Sequence, residues 1–132
     1  MNIKYPDYSK SILNLANSIL KHYGVEPYHP TLKALDSYLD RNYKNVVVMV
    51  LDGMGVRNLE NALPDGGFFS DHLVAELTSV LPPTTTAATT TLQSGLSPAE
   101  HGWLGWNLYF PEAGSNVSIF PNTNELGEPA AS

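Results

Sequence analysis

Val46-Val47-Val48-Met49-Val50-Leu51-Asp52-Gly53-Met54-Gly55 sets six apolar residues in a row before one carboxylate and two glycines. The run does not alternate between apolar and polar residues. A strand with one wet face would alternate, so Asn45 to Leu51 is predicted to be a strand covered on both sides, in a parallel sheet between helices. Gly53 and Gly55 permit a tight turn after it. In open α/β sheets, ligands sit beyond the carboxyl ends of the strands, and that is where this reading puts Asp52. A carboxylate there can ligate a hard or borderline cation. It can equally cap the turn by accepting nearby amides, and position alone leaves both roles open.

Downstream lies Pro82-Pro83-Thr84-Thr85-Thr86-Ala87-Ala88-Thr89-Thr90-Thr91-Leu92-Gln93-Ser94-Gly95. Its threonines favour a strand by propensity. The prolines suit a helix start and Gly95 suits a helix stop, so a helix is predicted from about Thr85, with Ala87, Ala88, Thr91 and Leu92 as a narrow packing face. A hydroxyl at a helix N-terminus can serve as a nucleophile once a cation stabilises its alkoxide, and the free amides there can receive a phosphate. A threonine run without chemistry is the competing reading. His101 is a candidate ligand or general acid, or an ordinary structural histidine. Trp103, Trp106, Tyr109 and Phe110 can line a substrate pocket or form a local core.

Outward from these segments the pattern is mixed. Ile12, Leu13, Leu15, Ala16, Ile19, Leu20 and Tyr23 recur at helical spacing, with Ser9 or Ser11 before them and Gly24 after. Leu32, Leu35 and Leu39 mark a second helix with Thr31 as its cap. A short helix runs through Arg57, Leu59 and Ala62 and is broken by Pro64-Asp65-Gly66-Gly67. Leu73 to Val80 reads as a strand, residues 96–116 as loop, and Val117 to Phe120 as a further strand. Residues 121–132 read as an irregular tail. Strand–helix alternation points to the α/β class, with a mostly parallel sheet between helices.

With 132 residues and 42% apolar side chains, the chain can build one small core or part of a larger one. Its net charge of −6 and lack of a basic run argue against a nucleic-acid polymer as partner. It has no cysteine, which excludes disulfides and thiolate zinc sites. No stretch has the length of a membrane span or the form of a signal peptide, so the expected setting is cytoplasmic, away from membranes.

Several motifs fail. Residues 53–58 lack the third glycine of a dinucleotide fingerprint, no GK[ST] occurs, and Gly95-Leu96-Ser97-Pro98-Ala99 lacks the closing glycine of a nucleophile elbow. Met54 stands where the haloacid-dehalogenase pattern has a second Asp. In contrast VVVMVLDGMG, followed by LPPTTTAATTTLQSGLSPAEHG, resembles the alkaline phosphatase superfamily, and within it the type I phosphodiesterase/nucleotide pyrophosphatase group. The match runs from about Asn45 to Gly102.

The resemblance implies an alkaline-phosphatase-like layered fold. It implies two divalent metal ions, zinc favoured, with Asp52 as ligand to one of them. The nucleophile lies ten residues before Gly95, which is Thr85, also a metal ligand, with Thr84 and Thr86 as fallbacks. It implies in-line attack on phosphorus, a phosphothreonine intermediate, and a small phosphoester substrate. A phosphate-contacting Asn of nucleotide pyrophosphatases aligns with Trp106, and neighbouring Asn107 is the candidate for that role. The family's other ligands are Asp and His residues further downstream, whereas this chain has neither after Gly102. The chain is therefore expected to be the N-terminal portion of a larger catalytic domain, inactive by itself, with apolar surface that favours self-association. The alternatives are a non-catalytic α/β interaction or structural module, or another superfamily branch such as a phosphomutase; a sulfatase is disfavoured because Thr holds the nucleophile position.

Overall fold

The computed structural model describes residues 4–63 and 66–130, so part of the expected break at Pro64-Asp65 lies outside the described residues. In chain order the elements are α1 (Ile12–His22), α2 (Lys33–Leu39), α3 (Val56–Ala62), α4 (Phe68–Asp71), α5 (Thr85–Ser94), α6 (Pro98–His101), β1 (Asn107–Phe110) and β2 (Ser115–Ser118). Among the described residues, no helix is long and apolar enough to cross a membrane.

The helix α1 starts where expected, at Ser11, whose N–H and hydroxyl both donate to Asn14 Oδ1 at 2.9 and 2.8 Å. It packs against α2 and α5. Its buried face is unusually polar: Leu13 and Ala16 are joined by Asn14, Asn17 and Ser18. Each buried polar group finds partners, as burial requires. Asn17 Nδ2 donates to the carbonyls of Leu13 and Gly95, both at 2.9 Å, and Asn17 Oδ1 accepts the His29 N–H. Ser18 Oγ donates to Asp36 Oδ1 at 2.6 Å and accepts the Leu32 N–H. Thr31 does not cap α2: Leu32 holds that position, and the Thr31 hydroxyl donates to Asp36 Oδ2 instead.

The expected helix beginning at Thr85 is present. Thr84 is its N-cap and accepts the Ala87 N–H at 3.2 Å. Gly95 ends it with φ +74, a left-handed conformation that a side chain resists. A Cβ on Gly95 would also sit 2.6 Å from Leu20 Cδ1, so glycine lets α1 and α5 meet. The small core is Leu13, Val80 and Ala87, with Ile12 and Ala88 packed on it.

The helices and a small antiparallel sheet fit the α/β class, but the mostly parallel sheet is not formed among the described residues. Residues 45–51 form no strand and pair with none among the described residues, and Val47 and Met49 are 86% and 77% exposed. The segment 73–80, expected as the next strand, gives only a single parallel bridge, Ser11 to Thr78. The reason is visible in its hydrogen bonds. Thr78 N–H donates to Lys10 C=O and Thr78 C=O accepts the Ile12 N–H, so the chain before α1 occupies an edge that a neighbouring strand would need. A run such as 46–51 gains nothing from propensity alone, because a parallel strand depends on partners supplied by distant chain.

The sheet that does form is the hairpin β1–β2, with Asn107 opposite Ser118 and Phe110 opposite Ser115. It places a strand, β1, in a stretch expected to be loop, and starts the second strand earlier than Val117. Residues 121–130 hold no named element but are tied back by bridges from Thr123 to Ser118 and to Pro129.

Candidate functional site

Asp52 follows the extended run and sits on a turn. Its Oδ1 accepts the Gly53 N–H at 2.9 Å, and Asn58 Nδ2, from α3, braces the turn by donating to Gly53 C=O at 2.8 Å. The other carboxylate oxygen, Oδ2, accepts the Thr85 hydroxyl at 3.4 Å across 33 residues of sequence. Thus Asp52 both caps its own turn and reaches the first residue of α5.

The three adjacent threonines divide by environment. The Thr84 hydroxyl is committed twice, donating to Leu104 C=O at 3.0 Å and accepting the Ala87 N–H. Thr86 is 1% exposed, and its Oγ1 is buried with no hydrogen-bond partner among the described residues. Thr85 alone turns its hydroxyl to Asp52 on an accessible face. Its place at the first turn of α5 sets that hydroxyl in the positive end of the helix dipole, beside amides that lack intrahelical partners.

Asn107 opens β1 and its Oδ1 accepts the Ser118 hydroxyl at 2.6 Å. That bond ties the two hairpin strands together. Trp103 packs against Phe110 and Trp106 against Phe120, so the aromatic group is split into two pairs on the hairpin. A cavity of about 430 Å³ is walled by Trp103, Phe110, Val117 and Ile119. A second, of about 600 Å³, opens between the N-terminal segment and α3, with Lys4, Lys10 and Arg57 facing Asp7, Glu60 and Glu76.

His101 is built into the scaffold. Trp103 N–H donates to its Nδ1 at 3.0 Å, which assigns the proton of the neutral ring to Nε2. Nε2 lies 3.1 Å from the hydroxyl of fully buried Thr91. Burial pushes the His101 pKa down, with the Ala87 carbonyl and the Glu100 charge acting in the opposite direction. Glu100 is the residue that sequence reasoning missed. Its Oε2 accepts the Ser97 N–H and hydroxyl at 2.7 and 2.6 Å and His29 Nε2 at 2.7 Å. These bonds, those from Ser97 first, hold its pKa at about 2. The signal available was Ser97-Pro98-Ala99-Glu100, a capping-box spacing.

The donor set for a metal is short. Asp52 and Thr85 offer oxygen ligands, but among the described residues no group of three or more His, Cys, Asp or Glu side chains converges. A tetrahedral zinc site takes four ligands, so these residues alone do not fit a metal pair.

No curated protein and no solved structure matches the chain. The sequence profile described as type I phosphodiesterase / nucleotide pyrophosphatase matches residues 46–129, nearly two thirds of the chain, and covers both Asp52 and Thr85. On that match the chain belongs to the type I phosphodiesterase/nucleotide pyrophosphatase family, a family of hydrolases.

Proposed function

We propose that this chain supplies part of the active centre of a hydrolase acting on phosphodiester or pyrophosphate bonds, with Thr85 as nucleophile. The observation that carries the reading is the hydrogen bond from Thr85 Oγ1 to Asp52 Oδ2 at the N-terminus of α5. It joins the two residues that the family resemblance singles out, from segments far apart in sequence.

In this reading Asp52 orients the Thr85 hydroxyl, and the unpaired amides of α5 receive a phosphoryl oxygen. Attack by Thr85 Oγ1 forms a threonine–phosphorus bond and breaks the bond to the leaving oxygen. The hydroxyl proton passes to solvent on attack, and the leaving oxygen takes a proton from solvent. Water then cleaves the phosphothreonine, restoring the hydroxyl and releasing a phosphate monoester or monophosphate. Asn107 is retained as the proposed substrate contact in the complete centre.

Two divalent ions, zinc by family resemblance, belong to the proposal for that complete centre, where a metal lowers the pKa of a bound oxygen and offsets charge on phosphorus. Asp52 and Thr85 alone do not complete a donor set for them. The chain is proposed to be the N-terminal portion of a larger catalytic domain. The exposed run 46–51 supports this, since six apolar residues without a strand partner among the described residues are suited to the interior of a sheet. Hydrolysis of a chromogenic phosphodiester with added zinc or manganese tests the reading. The 132-residue chain should show negligible turnover, and the complete native protein should turn over in a manner abolished by Thr85→Ala.

A further inference from the structure

We propose that His101 is a positioning residue for Thr85, acting through the loop that follows it and through Thr84. The proposal rests on the reading of Thr85 as nucleophile. Three hydrogen bonds make the connection. His101 Nδ1 accepts the Trp103 N–H at 3.0 Å, Leu104 C=O accepts the Thr84 hydroxyl at 3.0 Å, and Thr84 Oγ1 accepts the Ala87 N–H at 3.2 Å.

A neutral imidazole has one acceptor nitrogen, which the loop amide uses. The Thr84 hydroxyl has one hydrogen, which goes to Leu104, and a lone pair left for the helix amide. The loop begins at Gly102, which ends α6 at φ +75, and the His101–Trp103 bond fixes the chain as it leaves that turn. Leu104 C=O is thereby aimed at the N-cap of α5. Thr85 is the next residue after that cap and turns its hydroxyl toward Asp52.

The other edge of the ring grips the same helix further along, at Thr91. His101 therefore meets α5 directly at Thr91 and at the Ala87 carbonyl, and reaches its N-cap through the loop.

The test is amide exchange and imidazole ¹⁵N spectroscopy on the 132-residue chain. His101→Asn keeps an acceptor near the Nδ1 position, whereas His101→Gln keeps a polar group near the Nε2 position and loses the bond to Trp103. The wild-type ring should be in the Nε2–H form. With Ala16 in α1 as reference, exchange at the Ala87 amide should rise about fivefold in His101→Gln, the loss expected for a loosened N-cap, and stay near wild type in His101→Asn. In a Thr84→Ala background the Gln substitution should add nothing, because the connection is already cut. Equal effects of Asn and Gln, additivity with Thr84→Ala, or an Nδ1–H ring would each overturn the proposal. None of these readouts involves phosphoryl transfer, so their failure is separate from failure of Thr85 as nucleophile.

Discussion

Thr85 and Asp52, 33 residues apart, are joined by a 3.4 Å hydrogen bond that brings the start of a helix against a turn following an apolar run. At that length the bond is weak, and neither residue is held by it alone. Thr85 is fixed by the capped first turn of α5, and Asp52 by the braced turn 51–54. The proximity is therefore a consequence of two local structures docking.

Thr86 provides a test of that docking without touching the Asp52 contact. Its hydroxyl is buried and unpaired among the described residues, so it costs desolvation and returns nothing. Thr86→Val keeps shape and removes the polar atom. Chemical denaturation should show stabilisation of about 1 kcal/mol. A loss of stability would show that the hydroxyl has a partner.

Asn17 is expected to behave in the opposite way. It satisfies the Gly95 carbonyl at one end and the His29 amide at the other, and it is fully buried. Asn17→Leu leaves both groups unpaired and should cost about 2–3 kcal/mol. Gly95→Ala should cost about 1–2 kcal/mol through its left-handed backbone and the contact with Leu20. The denaturation midpoint measures both.

Acid titration should separate Glu100 from its amide variant. The folded-state pKa of Glu100 is lowered from 4.5 to about 2, so its carboxylate stabilises the fold fully above 4.5 and progressively less as pH falls to about 2. The stability gap between wild type and Glu100→Gln should be constant above pH 4.5 and close as pH approaches 2. For His101 the lowered pKa means that the unfolded chain takes up a proton first. Its contribution is thus complete above the ordinary histidine range and declines as pH falls through it.

The extended run should drive association. Val47 and Met49 are exposed on a segment with no ladder partners among the described residues, and such edges pair with other chains. Sedimentation of the 132-residue chain should show concentration-dependent oligomers, reduced by replacing Val47 and Met49 together with Lys. A monomer at all concentrations would remove this prediction.

Local signals carried most of what the sequence disclosed. Pro82-Pro83 and Gly95 bracket α5 against the strand propensity of its threonines, because end chemistry is read from neighbouring residues. Ser11 and Gly24 bracket α1 in the same manner. The start of α5 at Thr85 was legible because helix ends are encoded locally, whereas Asp52 follows a run that forms no strand. What failed was non-local. Residues 45–51 carry the composition of a buried strand, yet pairing needs partners that local sequence cannot supply. The polar face of α1 was also hidden, since Asn14, Asn17 and Ser18 are buried only because the Pro30 and Gly95 carbonyls, the Leu32 N–H and the Asp36 carboxylate arrive to meet them. β1 was missed because its aromatics read as loop until Asn107 meets Ser118.

The most direct measurement is acid-quench phosphopeptide mapping of the complete native protein during turnover of a phosphodiester. Phosphate should appear on Thr85, and Thr85→Ala should lose both that label and about a thousandfold or more of the hydrolysis rate. Hydrolysis by Thr85→Ala near the wild-type rate, or a label on another residue, would contradict the account.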